Sequence, residues 1–243
     1  MLQLSSEIKN IVESENFGFF GIGNLDDYSV QLMDYGYEIA EGYKRSISIG
    51  LTLSNAIVDQ LIPDPQFLTI ELYRHFCYDL VNQRIDNTLL KISKILTKNG
   101  YDSLSIPASK ATDKQRLFGS FSHKAAAYIS GLGWIGKSCL LITESAGPRV
   151  RWGTILTNAP LSPTGKPTEK NCGNCNICVQ NCPADAFTGA KFNTEEKREV
   201  RYDAYKCDAY LSEREKKNGL RVCGICIQVC PFGKKHKLKQ TIV

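Results

Sequence analysis

Near the start of the chain apolar residues recur every three or four positions. Leu4, Ile8, Ile11 and Val12 fall on one face and predict an amphipathic helix over residues 4–14. The run Phe17-Gly18-Phe19-Phe20-Gly21-Ile22-Gly23 predicts a short buried strand leading to a loop. Asp26 and Asp27 are placed to cap a second helix ending at Tyr37–Ala40, weakened by Gly36. From Ser46 to Leu53 the period changes to two. Ile47, Ile49, Leu51 and Leu53 alternate with Ser46, Ser48, Gly50 and Thr52, predicting a strand with one face buried more deeply. Pro63 and Pro65 mark a turn. A long helix is predicted over 67–99, with Leu72, Phe76, Leu80, Ile85, Leu89, Ile92 and Leu96 at helical spacing and Gly100 just past its end.

Tyr101 to Ile106 reads as a short strand stopped by Pro107, and 108–122 as a polar loop. Phe121 to Ile129 predicts a short helix whose Ala125-Ala126-Ala127 lets it pack closely. Cys139 to Thr143 and Arg149 to Leu156 predict strands joined by a turn at Gly147-Pro148. Helices and strands thus alternate over the first 160 or so residues, the pattern of an α/β or α+β body. The Pro160 to Pro167 linker then divides the chain into a domain over 1–165 and a second over 166–243.

The second part is built on cysteine. Cys172, Cys175, Cys178 and Cys182-Pro183 form C-x2-C-x2-C-x3-C-P, the spacing that holds a [4Fe–4S] cluster in bacterial ferredoxins. Cys223, Cys226 and Cys230-Pro231 repeat its second half, with Cys207 upstream to supply the missing thiolate. In two-cluster proteins the fourth cysteine of each run ligates the other cluster. Crossover assigns Cys172, Cys175, Cys178 and Cys230 to one cluster, and Cys182, Cys207, Cys223 and Cys226 to the other. Zinc would not need the x3-C-P tail. A disulfide framework would need an oxidising compartment, and the first residues lack the basic start and apolar block of a signal peptide. Cys77 and Cys139 sit in apolar company and read as buried thiols.

Hydrophobic content of 42% suits a globular core, and no apolar run reaches the ~18 residues of a membrane span. These features point to a cytoplasmic protein. The net charge is +5, and basic residues gather late: Lys197, Arg198, Arg201, Lys206, Arg214, Lys216, Lys217 and Arg221, then Lys234, Lys235, Lys237 and Lys239. They read as solvated surface that offsets anionic clusters, or as a face for RNA or an acidic electron donor. Aromatic residues are not interleaved with them as in a single-strand binding groove.

Gly131-Leu132-Gly133-Trp134-Ile135-Gly136-Lys137 lets backbone come close to a large ligand. A dinucleotide fingerprint needs strand, glycines, then helix; here a helix precedes the glycines and a strand follows. That order excludes an NAD site of this type. The glycine stretch is followed by Leu140-Leu141-Ile142-Thr143, Gly147-Pro148-Arg149-Val150-Arg151, Ile155-Leu156-Thr157-Asn158-Ala159-Pro160-Leu161, the cysteine run and Tyr205-Lys206-Cys207-Asp208-Ala209-Tyr210-Leu211. This order resembles the epoxyqueuosine reductase family and its relatives the reductive dehalogenases, strongly over 120–232 and more loosely before.

The resemblance implies a nitroreductase-like α/β domain followed by a two-cluster ferredoxin-like domain, with cobalamin held base-off between them. It implies electrons passing through the clusters from a low-potential ferredoxin or flavodoxin to cobalt, for reduction of an oxidised small molecule or modified nucleoside, with tRNA as a further partner. Gly131, Gly133, Trp134, Gly136 and Lys137 would then line the corrinoid, with Arg149 and Arg151 at the cofactor or at solvent. No D-x-H-x-x-G corrinoid motif is present, consistent with cobalt lacking a protein histidine. Flavin is the alternative cofactor, and a non-catalytic ferredoxin-type carrier the alternative function. The tRNA-modifying branch carries a proton donor in a D-S-A-P segment and a further helical-repeat domain. Here Asp102-Ser103-Leu104-Ser105-Ile106-Pro107 is out of register with that segment, and the chain ends at Val243. The candidate acids are Asp102, His123 and Tyr128, the last two on the helix that runs into the glycines. Lys124 and Lys137 are candidate counter-charges, while His75 reads as structural and His236 as solvated.

Overall fold

The computed structural model describes residues 2–26, 37–62, 67–109, 113, 115 and 117–234. Residues 27–36 of the predicted capped helix, with Asp27 and Gly36, the turn prolines Pro63 and Pro65, and the tail residues Lys235, His236, Lys237 and Lys239 lie outside them; the helix end Tyr37–Ala40 is present.

A four-stranded antiparallel sheet is the centre of the body. Its order is β1 (Phe19–Asn24), β2 (Arg45–Thr52), β6 (Val150–Thr157) and β3 (Ser103–Ile106). Every pairing in this sheet is antiparallel, which makes the body α+β rather than a doubly wound α/β sheet. On one face lie α1 (Leu2–Ser14) and α5 (Asn82–Lys98). Leu4, Ile8 and Val12 of α1, and Ile85, Leu89, Ile92 and Leu96 of α5, pack on Ile22, Ile47, Ile49 and Ile155. Each such side chain stabilises the fold by about 1.5–3 kcal/mol on burial.

The opposite face is covered by α6 (His123–Ile129), whose N-cap Ser122 accepts from the Ala125 amide. Small residues make the fit possible. A Cβ on Gly23 would stand 2.7 Å from Ile129, and one on Gly21 the same distance from Ser130. Glycine in a strand costs about 0.5–1 kcal/mol against alanine, less than the apolar helix face it lets in. This corrects the expectation that β2 has a lightly buried face. Ser46 and Ser48 are fully buried under α6, and neither hydroxyl has a partner. They are there because they are small.

The stretch 67–99 is not one regular helix. α4 (Phe67–Arg74) passes through a π-helical segment, His75–Val81, into α5. The wider turn rotates the buried stripe to Ile70, Tyr73, Cys77 and Val81, leaving Leu72 and Leu80 each 49% exposed. Gly100, at φ +81, ends the element as expected.

The predicted strand pair is also revised. β5 is only Leu141–Ile142, and it pairs with β4 (Trp134–Ile135) inside the glycine stretch; β6 joins the main sheet instead. The cysteine-rich half adds α7 (Ile177–Gln180), α8 (Ala204–Asn218), α9 (Ile225–Gln228) and α10 (Pro231–Lys234). Leu220 and Val222, just before its second motif, belong to the same core cluster as α1 and α5.

Candidate redox centre and its cavity

Two short helices carry the cysteines. Cys178 lies on α7 and Cys226 on α9, each following a glycine with positive φ, Gly173 at +54° and Gly224 at +87°. That conformation lets the loop curl so that its thiols point inward. Gly224 also has no room for a side chain: a Cβ there would meet Leu61 of the body at 2.6 Å. Cys207 sits in the first turn of α8, capped by Asp203, which accepts from the Lys206 amide at 3.0 Å.

The thiols fall into two sets. Burial raises the Cys178 thiol to about 11, helped by Cys172, Cys230 and Cys175 nearby. Burial likewise raises Cys226 far above the ordinary thiol range, and Cys223, Cys207 and Cys182 add to it, followed by Cys178. Cys223 is raised by burial, with Cys207 and Cys182 contributing. The neighbours of Cys178 are those the crossover reading expects, while Cys226 feels Cys178 as well as Cys182, Cys207 and Cys223. Among the described residues no group of three His, Cys, Asp or Glu converges as tightly as a single ion requires. Tetrahedral zinc would hold its sulfurs about 3.8 Å apart, given a Zn–S bond of ~2.3 Å. Eight thiols gathered more loosely than one ion requires, with Cys178, Cys207, Cys223, Cys226 and Cys230 disfavoured as thiolates by burial, are donor chemistry that a larger cationic core satisfies.

The glycine stretch proves to be a seam between the two halves. A Cβ on Gly131 would strike the Lys166 carbonyl at 2.7 Å, on Gly133 the Ile142 carbonyl at 2.2 Å, and on Gly136 Ile142 at 2.8 Å and the Cys172 Sγ at 3.2 Å. The space these glycines leave is filled by the chain itself. Trp134 is buried edge-on against Phe232 at 5.0 Å. Lys137 donates to the Asn176 side chain at 2.7 Å. Arg149, 1% exposed, donates to Asn55 and to Asp59 and reaches the Gln228 carbonyl. Arg151 donates to Asn82 and Ser109, with its guanidinium 4.3 Å over Tyr78.

A cavity of about 340 Å³ opens on the other side of α6. Its wall includes Pro107, Phe118, Phe121, His123, Lys124, Ile135 and Cys139 from the body, and Phe192, Glu196, Arg198 and Arg201 from between the cysteine motifs. None of Gly131, Gly133, Trp134, Gly136, Lys137, Arg149 and Arg151 is in it. On sequence, Arg198 and Arg201 read, with Lys197, as solvated surface or as a face for RNA or an acidic donor, and not as the wall of a cavity.

The candidate acids divide. Asp102 lies at the far end of β3 from Ile106, about 13 Å away at ~3.3 Å per residue. It is exposed and tied to the Asn158 side chain at 3.0 Å. Tyr128 stacks edge-on against Phe192 at 5.1 Å and is absent from the cavity wall. His123 does line the cavity, but both ring nitrogens are engaged. Nε2 stands 3.2 Å from the Pro107 carbonyl, which can only accept, so Nε2 carries the proton. Nδ1 then accepts from the Thr154 hydroxyl at 2.9 Å. Burial holds the ring's pKa down at about 4, so it is neutral and poorly suited to give a proton. Lys124 was not among the candidate acids, yet its Nζ donates to the Cys139 carbonyl at 2.6 Å. Burial lowers its pKa, as do Arg198 and Arg201, while the Cys139 and Cys226 thiols act the other way.

Residues 171–233 match the family model of the 4Fe-4S double cluster binding domain. Epoxyqueuosine reductase of Bacillus cereus is 36% identical over 126 residues, covering 48% of this chain and 30% of that protein. The Listeria monocytogenes enzyme is 37% identical over 122 residues, covering 49% and 31%. The chain thus spans under a third of the length of these two relatives. Epoxyqueuosine reductase of Atelocyanobacterium thalassa aligns with 100% of the chain and 84% of its own, at 26% identity. Among solved structures, epoxyqueuosine reductase from Streptococcus thermophilus superposes with a TM-score of 0.62 at 16% identity, covering 96% of this chain and 66% of that one. A catabolic reductive dehalogenase in complex with 3-bromo-4-hydroxybenzoic acid gives 0.67 at 17%, covering 93% and 31%. At these identities the structures speak for the fold. The chain therefore carries a 4Fe-4S double cluster binding domain and is a homologue of the epoxyqueuosine reductases, with a fold shared by them and by the reductive dehalogenases.

Proposed function

We propose that the protein is an iron–sulfur oxidoreductase that delivers electrons through two [4Fe–4S] clusters into the cavity beside α6. Cys172, Cys175, Cys178 and Cys230 would hold the outer cluster; Cys182, Cys207, Cys223 and Cys226 would hold the inner one. The observation that carries this reading is the position of Lys124. It lines the cavity and its charge is acted on by Cys226, which places that thiol near an opening walled by both halves. The division at 1–165 and 166–243 is proposed as a functional one, body and electron conduit, on a partly shared core.

The names of the relatives point to an epoxyqueuosine-like modified nucleoside as substrate, and one solved relative was captured with an epoxyqueuosine-modified tRNA stem loop. A reductive dehalogenase with this fold is described as acting in B12-dependent dehalogenation. By that analogy cobalamin is the proposed acceptor, and the comparisons lend flavin no support. Cobalamin would supply a strongly reducing cobalt centre when bound. The glycine seam is closed by the chain's own atoms, and the cavity of about 340 Å³ is too small for a whole corrinoid, so only part of the group would enter it, against Phe121, Lys124, Phe192 and Arg198. His123 keeps its neutral ring as part of the wall. Lys124 holds a proton at Nζ on the Cys139 carbonyl and, with its basicity lowered, is the best-placed source of the proton that reduction consumes. Among the described residues no helix is long and apolar enough to cross a membrane. A ferredoxin or flavodoxin is the proposed donor.

Anaerobic cofactor analysis tests this directly. About eight iron per chain are expected for two [4Fe–4S] clusters, with tight uptake of cobalamin seen in its visible spectrum. Cys175→Ala and Cys226→Ala should each lower iron towards half. Full iron in either variant would sink the ligand sets, and full iron without corrinoid uptake would favour the simple electron carrier.

A further inference from the structure

The cavity beside α6 has more positive charge on its wall than its acids balance. Lys124, Arg198 and Arg201 face it, against the carboxylate of Glu196. Arg198 is engaged: it donates to the Leu117 carbonyl at 3.2 Å, lies over the Phe118 ring and pairs with Glu199. Lys124 meets a carbonyl and, among the described residues, pairs with no carboxylate. Arg201 is the decisive residue. It is 4% exposed, its Nε is enclosed without a partner, and its guanidinium makes no hydrogen bond or ion pair among the described residues. Its contact is the face of Phe192, 4.7 Å to the ring centroid. A guanidinium cannot discharge itself by losing a proton. Buried and unpaired it is strongly unfavourable, unless something anionic completes it.

We propose that this cavity is an oxyanion site, which takes a phosphate or carboxylate group of the substrate on Arg201 and Lys124. The guanidinium offers the planar fork that matches such groups, and the ammonium a point charge beside it. Phe118, Phe121, Phe192 and Ile135 give the apolar wall against which the rest of the ligand would lie. The volume, about 340 Å³, is at the small end of ligand sites, which favours a nucleotide-sized or smaller molecule. The word substrate rests on the redox reading above; the binding itself does not.

The test uses anaerobically purified protein with both clusters and no added corrinoid. Inorganic phosphate, adenosine 5′-monophosphate and acetate are titrated calorimetrically, and iron is assayed in every variant. Binding of phosphate or the nucleotide is expected, or of acetate if the natural group is a carboxylate. Arg201→Gln and Lys124→Gln should each weaken it at least tenfold, with Arg201→Lys intermediate. Lys94→Gln, on the exposed side of α5 across the sheet, should leave it unchanged. The proposal fails if none of the three anions binds, or if binding survives Arg201→Gln. It also fails if Arg201→Gln and Arg201→Lys both shed iron, since the charge would then serve the inner cluster. A protein that binds phosphate through Arg201 but passes no electrons would sink the redox reading and leave the oxyanion site standing.

Discussion

His123 shows how an environment decides what a titratable residue does. On sequence it was a natural acid, next to the glycines and on a helix. In the fold it bridges Pro107 and Thr154, and burial holds its pKa near 4. Its ring should therefore stay neutral, protonated on Nε2, from pH 8 down to pH 5; nitrogen-edited NMR reports this directly, and a ring titrating near 6.5 would refute the network. The sign for stability follows. The folded pKa lies below the unfolded one, so the contribution is complete above about pH 6.5 and is lost as pH falls towards 4. His123→Gln should flatten that part of the acid limb. Arg149 makes the complementary case. It is a fully buried cation, but its acid, Asp59, is largely exposed, so Arg149→Met leaves a solvated carboxylate rather than a stranded charge. The expected cost is about 1–3 kcal/mol, below the 3–5 kcal/mol of breaking a wholly buried pair. It is read from the loss in thermal midpoint.

Elements were legible where one face alone is buried. The periodicity of α1 and α5 survives almost residue for residue, and Ile47 and Ile49 of β2 are buried as expected. The reading failed where a second layer covers the other face, as α6 does over Ser46 and Ser48, and where the helical period is broken. The π-helical segment at His75–Val81 moves the buried stripe by one position, which no helical template anticipates. The double cluster binding domain was legible because cysteine spacing is set by chemistry. The glycines were legible as a place of close approach, but not as to what approaches. Gly133→Ala tests the answer at the level of the β4–β5 pair. A methyl 2.2 Å from the Ile142 carbonyl cannot be accommodated without moving backbone. A loss of roughly 1–3 kcal/mol is expected, as for overpacked cores, and an unchanged midpoint would mean that the seam is open.

At the scale of the whole molecule, the two halves are held by a few specific contacts: Trp134 on Phe232, Lys137 on Asn176, and Arg149 on the Gln228 carbonyl. A methyl on Gly147, at φ +55, would stand 2.3 Å from the Gly233 amide, so the halves also meet backbone to backbone. Removal of iron by chelation should therefore lower the midpoint of the whole protein rather than melt residues 166–243 alone. Scanning calorimetry showing an unchanged body transition would contradict this.

Leu220 and Val222 belong to the same core as Ile85 and Leu89, only a few residues before Cys223 and Cys226. The segment that presents those thiols is thus the same segment that closes the floor of the body. A chain that never receives its metal should hold that floor less firmly, and its hydrophobic seam should then be open to protease. Degradation would then sort empty molecules from filled ones by their breathing alone, with no dedicated inspector.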